Sequence, residues 1–144
     1  MNWVFSSMIV YQFGNINKIA VRNFSKQKYL QALDEKFDFL SNWGFTKSYE
    51  DIGLSYGYIF KKDYVIISLN YDLREHYFYF TIEALVGGKW LRSSFYDAFK
   101  KNKPSLQHYM LQPTNDDYLT SLELNAVNLK EFLASSLERE NLNK

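Results

Sequence analysis

The chain has 144 residues, 47% hydrophobic and 23% charged, the balance of a globular domain that buries roughly 70% of its unfolded surface without a metal or disulfide. Lys and Arg total 17 against 16 Asp and Glu, a formal net charge of +1, which lacks the cation surplus on which duplex-DNA binding draws. Cysteine is absent, excluding disulfides, thiolate nucleophiles, cysteine-ligated zinc and iron–sulfur clusters.

The first 17 residues carry no charge, and the first cation is Lys18. A secretory signal has a basic stretch before its apolar run and a small-residue cleavage site after it. Neither is found, Ser6, Ser7 and Gln12 interrupt the run, and it is too short to span a bilayer. The expected location is the cytoplasm. Loose alternation about Gly14-Asn15 between Met8 and Asn23 suggests a hairpin or arm over residues 1–24 of a single 1–144 domain.

Ser25 is a suitable N-cap for a helix running to Trp43. Leu30, Leu33, Phe37 and Leu40 recur at helical spacing beside Ala32, while Lys26, Lys28, Gln31, Asp34, Glu35 and Asp38 form the wet side. Gly44 supplies the terminating residue and Phe45 the apolar contact that closes such a cap. Three strands are predicted next: Tyr56–Lys61, Tyr64–Tyr71 and His76–Leu85, with turns at Lys62-Asp63 and Asp72–Glu75 and an end at Gly87-Gly88. Their β-branched and aromatic residues at period two are those of a half-buried antiparallel sheet. Ser94 with Asp97 resembles a capping box for a short helix reaching Lys101. Residues 113–117 open a terminal helix striped by Leu119, Leu122, Ala126, Leu129, Leu133 and Leu137. The reading is an α+β domain, an antiparallel meander packed against both helices, with Leu33, Phe37, Val65, Ile67, Phe80 and Leu129 in its core.

Catalytic signatures are missing. No G-x-S-x-G, phosphate-binding glycine loop, H-x-x-x-H or D-x-D-x-D-G occurs, and His76 and His108, the only histidines, leave little material for a metal site. No cofactor is expected, and no enzyme. Asp72, Arg74, Glu75 and His76 have the composition of an acid–base cluster, but Asp72 equally starts a turn by bonding its own backbone while Arg74 and Glu75 stay solvated. His108 beside Tyr109 reads as a surface or helix-end histidine.

Aromatic residues make up 19% of the chain, with 12 Tyr, 12 Phe and 3 Trp. If Phe78, Phe80 and Ile82 face the helices, Tyr77 and Tyr79 project from the opposite side, where Tyr56, Tyr58 and Tyr64 can join them. Three readings stay open: tyrosines packed at half-burial, a protein interface, and a stacking platform for single-stranded nucleic acid. The last lacks the basic–glycine–aromatic signature of sheet-based RNA binders. Residues 86–113 hold Lys89, Arg92, Lys100, Lys101 and Lys103 against Asp97, while residues 114–144 hold six acids and three bases, a bipolar distribution suited to steering a charged partner.

A helix ending Trp43-Gly44-Phe45, a meander with Tyr71-Asp72-Leu73-Arg74-Glu75 at its second turn, and a helix reading L-E-L-N-A-V-N-L-K-E-F-L from Leu122 to Leu133 follow one another in order. This arrangement resembles small bacterial α+β proteins of the toxin-immunity type, over about residues 25–85 and 116–140. The resemblance implies a cytoplasmic, non-enzymatic protein that binds and blocks a toxin, and it transfers no site beyond the Asp72–Glu75 turn. The expected partner-binding residues are Tyr56, Tyr58, Tyr64, Asp72, Arg74, Glu75, Tyr77 and Tyr79. The alternative is single-stranded nucleic-acid binding through the tyrosine-rich face, and no membrane partner is expected.

Overall fold

Helix α1 covers 26–36 in a computed structural model that describes residues 26–113 and 118–142. The chain divides between Glu35 and Lys36 into two units. In the first, Tyr29, Ala32 and Leu33 are buried, and Lys28, Gln31, Asp34 and Glu35 are exposed, as helical periodicity dictates. The Ser25 cap and the N-terminal hairpin lie outside the described residues.

The helix expected to run unbroken to Trp43 is interrupted. At Phe37 and Asp38 the hydrogen bonds shorten to Leu40 N–H to Phe37 carbonyl and Ser41 N–H to Asp38 carbonyl, each 3.1 Å, before α2, Phe39–Asn42. Phe37 and Leu40 are three residues apart and both fully buried; tightening the turn aligns residues at that spacing. The C-terminus is the expected one. Phe45 N–H bonds the Leu40 carbonyl at 3.0 Å and Gly44 N–H the Ser41 carbonyl at 3.1 Å, with Gly44 at φ +95° and Phe45 and Leu40 both buried, the Schellman pattern.

The sheet has five strands, all antiparallel, in the order β1-β2-β3-β4-β5. They are β1, Thr46–Asp51; β2, Ser55–Lys62; β3, Val65–Asp72; β4, Tyr77–Val86; and β5, Lys89–Ser94. The three predicted strands are the central ones. The two edges, β1 and β5, are additional to the predicted strands: their side chains are almost all exposed and so carry no apolar alternation. Gly87 and Gly88, both at positive φ, do not end the sheet but form the two-residue turn from β4 into β5. His76 belongs to the turn, at φ +52°, not to β4.

The register places Tyr56, Phe60, Ile67, Leu69, Tyr71, Phe78, Phe80 and Ile82 on one face, all buried. Helix α3, Phe95–Phe99, continues that core, capped as expected by Ser94 Oγ accepting from Asp97 N–H at 3.1 Å; it stops two residues short of Lys101. Next come α4, His108–Leu111, and α5, Tyr118–Leu142. Rings connect sheet to helices: Phe37 meets Phe80 edge-on at 6.2 Å, Phe80 meets Phe95 at 5.4 Å, Phe95 meets Phe99 at 5.1 Å, and Phe99 meets Phe132 of α5 at 5.8 Å. Leu122, Ala126, Leu129 and Leu133 form the buried stripe of α5, whereas Leu119 is exposed: it starts the helix one residue off the line that Ser121, Leu122 and Asn125 bury. Val65, expected in the core, is half-exposed because it follows the β2–β3 turn. Leu137 as a stripe residue falls outside the described side chains.

Gly57 of β2 has no room for a side chain, since a Cβ there would coincide with the Leu69 carbonyl oxygen of β3. Gly57→Ala is expected to destabilise by about 3 kcal/mol, near the top of the overpacking range. Leu129→Ala, at a fully buried position, should cost about 2–5 kcal/mol through lost burial and the cavity left behind. Urea denaturation of each variant checks both values.

Candidate functional site

The β3–β4 turn gathers most of the chemistry-bearing side chains. Asp72 Oδ1 accepts the Arg74 N–H at 2.8 Å and the Glu75 N–H at 3.1 Å, while Oδ2 lies 3.5 Å from the Arg74 guanidinium. These bonds, the Glu75 amide first, hold its carboxyl below the usual range. The aspartate therefore builds the turn, the ordinary role expected of a residue that starts one. Glu75 Oε1 accepts the Tyr79 hydroxyl at 2.6 Å, and this bond is the main reason the Tyr79 phenol is raised.

Each histidine sits against a tyrosine. His76 Nδ1 is 2.8 Å from the Tyr71 hydroxyl, and His108 Nε2 is 3.1 Å from the Tyr77 hydroxyl. The His108 ring also stacks on Tyr77, centroids 6.2 Å apart, and meets the Tyr96 ring edge-on at 5.3 Å.

Sequence reasoning did not find what positions His108. Strand β5 pairs β4 only from Thr81 to Val86, leaving the first part of β4 without a strand on that side. The Gln112 side chain takes the place of one: its Oε1 accepts the Phe78 N–H at 2.9 Å and its Nε2 donates to the Phe78 carbonyl at 3.0 Å. Helix α5 holds the same segment from behind. Asn125, almost fully buried, donates from Nδ2 to the Leu111 carbonyl at 2.9 Å and the Ser121 carbonyl at 2.7 Å, and Ser121 Oγ donates to the Gln112 carbonyl at 2.9 Å. A usable signal was present at Asn125, an amide adjoining the leucine stripe of a helix. For Gln112 there was none.

The five tyrosines singled out from the sequence do not form one surface. Tyr77 and Tyr79 project from the outer face, their rings 4.9 Å apart. Tyr56 and Tyr58 lie on the inner face with Phe78 and Phe80, because a residue opposite Tyr71 or Leu69 must share its side of the sheet. Tyr56 is buried, and desolvation drives its phenol far above the ordinary range. Tyr58 is half-buried beneath the Lys47 ammonium at 4.2 Å. Tyr64 is exposed in the β2–β3 turn, away from both sets. The expected platform is thus reduced to Tyr77 and Tyr79, flanked by the exposed Arg74 and Glu75. Among the described residues no group of three or more His, Asp or Glu side chains could hold a metal ion, and no helix is long and apolar enough to cross a membrane.

Two outcomes test this geometry. Gln112→Ala should cost about 2 kcal/mol, since leaving buried backbone groups unpaired costs on the order of 1–3 kcal/mol each; Gln112→Glu should also destabilise, because its carboxylate faces the Phe78 carbonyl. Asp72, with a lowered folded-state value, stabilises above the ordinary carboxyl value of about 3.9, and this share is lost as pH falls through the folded value. The stability gap between wild type and Asp72→Asn, measured by denaturant titration, should therefore shrink steadily below about pH 4. No protein-family model, no curated protein and no solved structure matches the chain.

Proposed function

We propose that the protein is a cytoplasmic, non-enzymatic binding protein of the toxin-immunity type, which blocks a toxin by docking it on the outer face at the β3–β4 turn. The observation that carries this reading is the state of Tyr79. It is 46% exposed, yet its hydroxyl is held by Glu75 at 2.6 Å and its ring lies against Tyr77 at 4.9 Å. An aromatic side chain already held in place loses little entropy on binding, which is what interface anchors require. The titratable groups nearby are engaged in the fold: Asp72 in its turn, Glu75 with Tyr79, and both imidazoles with tyrosine hydroxyls. Asp72, Glu75 and Arg74 leave this end acidic on balance, which suits a basic partner surface better than a phosphate chain.

The test is co-expression with the product of an adjacent toxin gene. Wild type should restore growth, and Tyr79→Ala and Glu75→Lys should each weaken toxin affinity by about thirtyfold, the equivalent of an anchor worth about 2 kcal/mol, with an unchanged melting temperature. Ile52→Ala, on the exposed β1–β2 turn, should change nothing. Failure to restore growth, together with binding of a single-stranded oligonucleotide that weakens steeply with salt and is lost in Tyr77→Ala and Tyr79→Ala, would instead establish the nucleic-acid reading.

A further inference from the structure

A cavity of about 410 Å³ lies away from the β3–β4 turn, between the junction after α2, the β2–β3 turn and α5. Its walls are Trp43, Phe45, Val65 and Leu133, with Tyr64, Lys62, Asp63 and Ser136 completing the lining. The volume falls in the range of roughly 300–1,000 Å³ typical of small-ligand sites, and mostly apolar walls with few polar groups are their usual composition. The polar groups are unequal. Lys62 is half-buried, whereas Asp63 is exposed in the turn at φ +50°.

Lys62 supplies the chemistry. Its side chain crosses Gly44, where a Cβ would lie 3.4 Å from Lys62 Cε, and its ammonium donates to the Trp43 carbonyl at 2.7 Å and stands 5.8 Å from the centre of the Phe45 ring. Among the described residues no carboxylate forms an ion pair with it. An ammonium has three donors, and one carbonyl uses only one of them. A bound carboxylate would accept from the remaining donors in a charge-assisted hydrogen bond, stronger than one between neutral groups. Ser136 adds a hydroxyl whose proton is directed to the Phe132 carbonyl at 3.1 Å, so its oxygen remains an acceptor for a ligand donor or a bridging water.

We propose that this cavity binds an apolar monocarboxylate, with the carboxylate at Lys62 and the hydrocarbon body between Trp43, Phe45, Val65 and Leu133. The site is independent of the toxin-binding reading at the β3–β4 turn, and of the partner-binding residues expected from the sequence it includes only Tyr64, which the fold places here. Selectivity for the acid comes from the Lys62 ammonium, which the exposed Asp63 in the same lining opposes.

Decanoate, 1-decanol and decylamine are suitable probes, below their aggregation limits, titrated by calorimetry, with the Trp43 indole signal in NMR locating the site. Decanoate should bind one to one and at least about tenfold tighter than 1-decanol, with decylamine weakest; a charge-assisted hydrogen bond readily supplies such a ratio. Lys62→Met should abolish the preference while leaving decanol affinity unchanged, and Lys62→Arg should keep it. Asp63→Asn should tighten decanoate binding, and Leu133→Trp should exclude all three ligands. Equal affinity of wild type for acid and alcohol, a preference that survives Lys62→Met, no binding of decanoate, or binding that leaves the Trp43 signal unmoved would each overturn the proposal.

Discussion

The pair of hydrogen bonds between the Gln112 amide and the Phe78 backbone is the constraint on which much of this architecture depends. A strand edge that meets neither another strand nor water leaves polar groups unpaired, at a cost of order 1–3 kcal/mol each. Strand β5 is too short to cover the start of β4. One side-chain amide, with a donor and an acceptor at the spacing of a peptide unit, completes the ladder there. Because Asn125 and Ser121 hold the carbonyls of Leu111 and Gln112, the same bonds tie α5 to the sheet edge. Helix and sheet are joined through polar groups as well as apolar ones.

The apolar part of that junction is aromatic. Phe78 and Phe80 stack 4.8 Å apart, and Tyr71 leans on Phe78 at 5.2 Å. From Phe80 the ring contacts pass through Phe95 and Phe99 to Phe132. Large flat side chains bury much area while adding orientation preferences that favour tilted and offset contacts. Much of the chain's aromatic surplus is therefore accounted for by packing. The exposed aromatics include Tyr49, Trp90 and Tyr109 as well, but two of them mark opposite ends of the strands: Tyr79 beside the β3–β4 turn, and Tyr64 in the lining of the cavity that holds Lys62.

These two regions differ in physical character. The β3–β4 turn is rigid by hydrogen bonding, with Asp72 closing two amides and Glu75 fixing Tyr79, which favours a preformed contact surface. The cavity is bounded by apolar walls and one ammonium bonded to the Trp43 carbonyl, which favours a small amphipathic ligand. A protein of this size can hold both because the meander separates its turns to opposite ends of the strands.

The sequence by itself determined the central meander, the α+β class, the glycine-terminated helix, the Ser94 cap and the Asp72 turn. Each depends on neighbours in the chain: period-two alternation, period-3.6 stripes, and side chains that bond backbone two or three residues away. Tertiary structure decided the rest. Edge strands β1 and β5 face water on both sides and leave no apolar pattern to read, although Gly87-Gly88 was a hairpin signal in plain view. Which tyrosines share a face followed from the register of β2 on β3, since a strand's partners set its side of the sheet. The Gln112 bridge, the pairing of His108 with Tyr77, and the setting of Lys62 beside Trp43 join residues from 19 to 34 positions apart. No local periodicity encodes such meetings, because they exist only once the chain has folded back on itself.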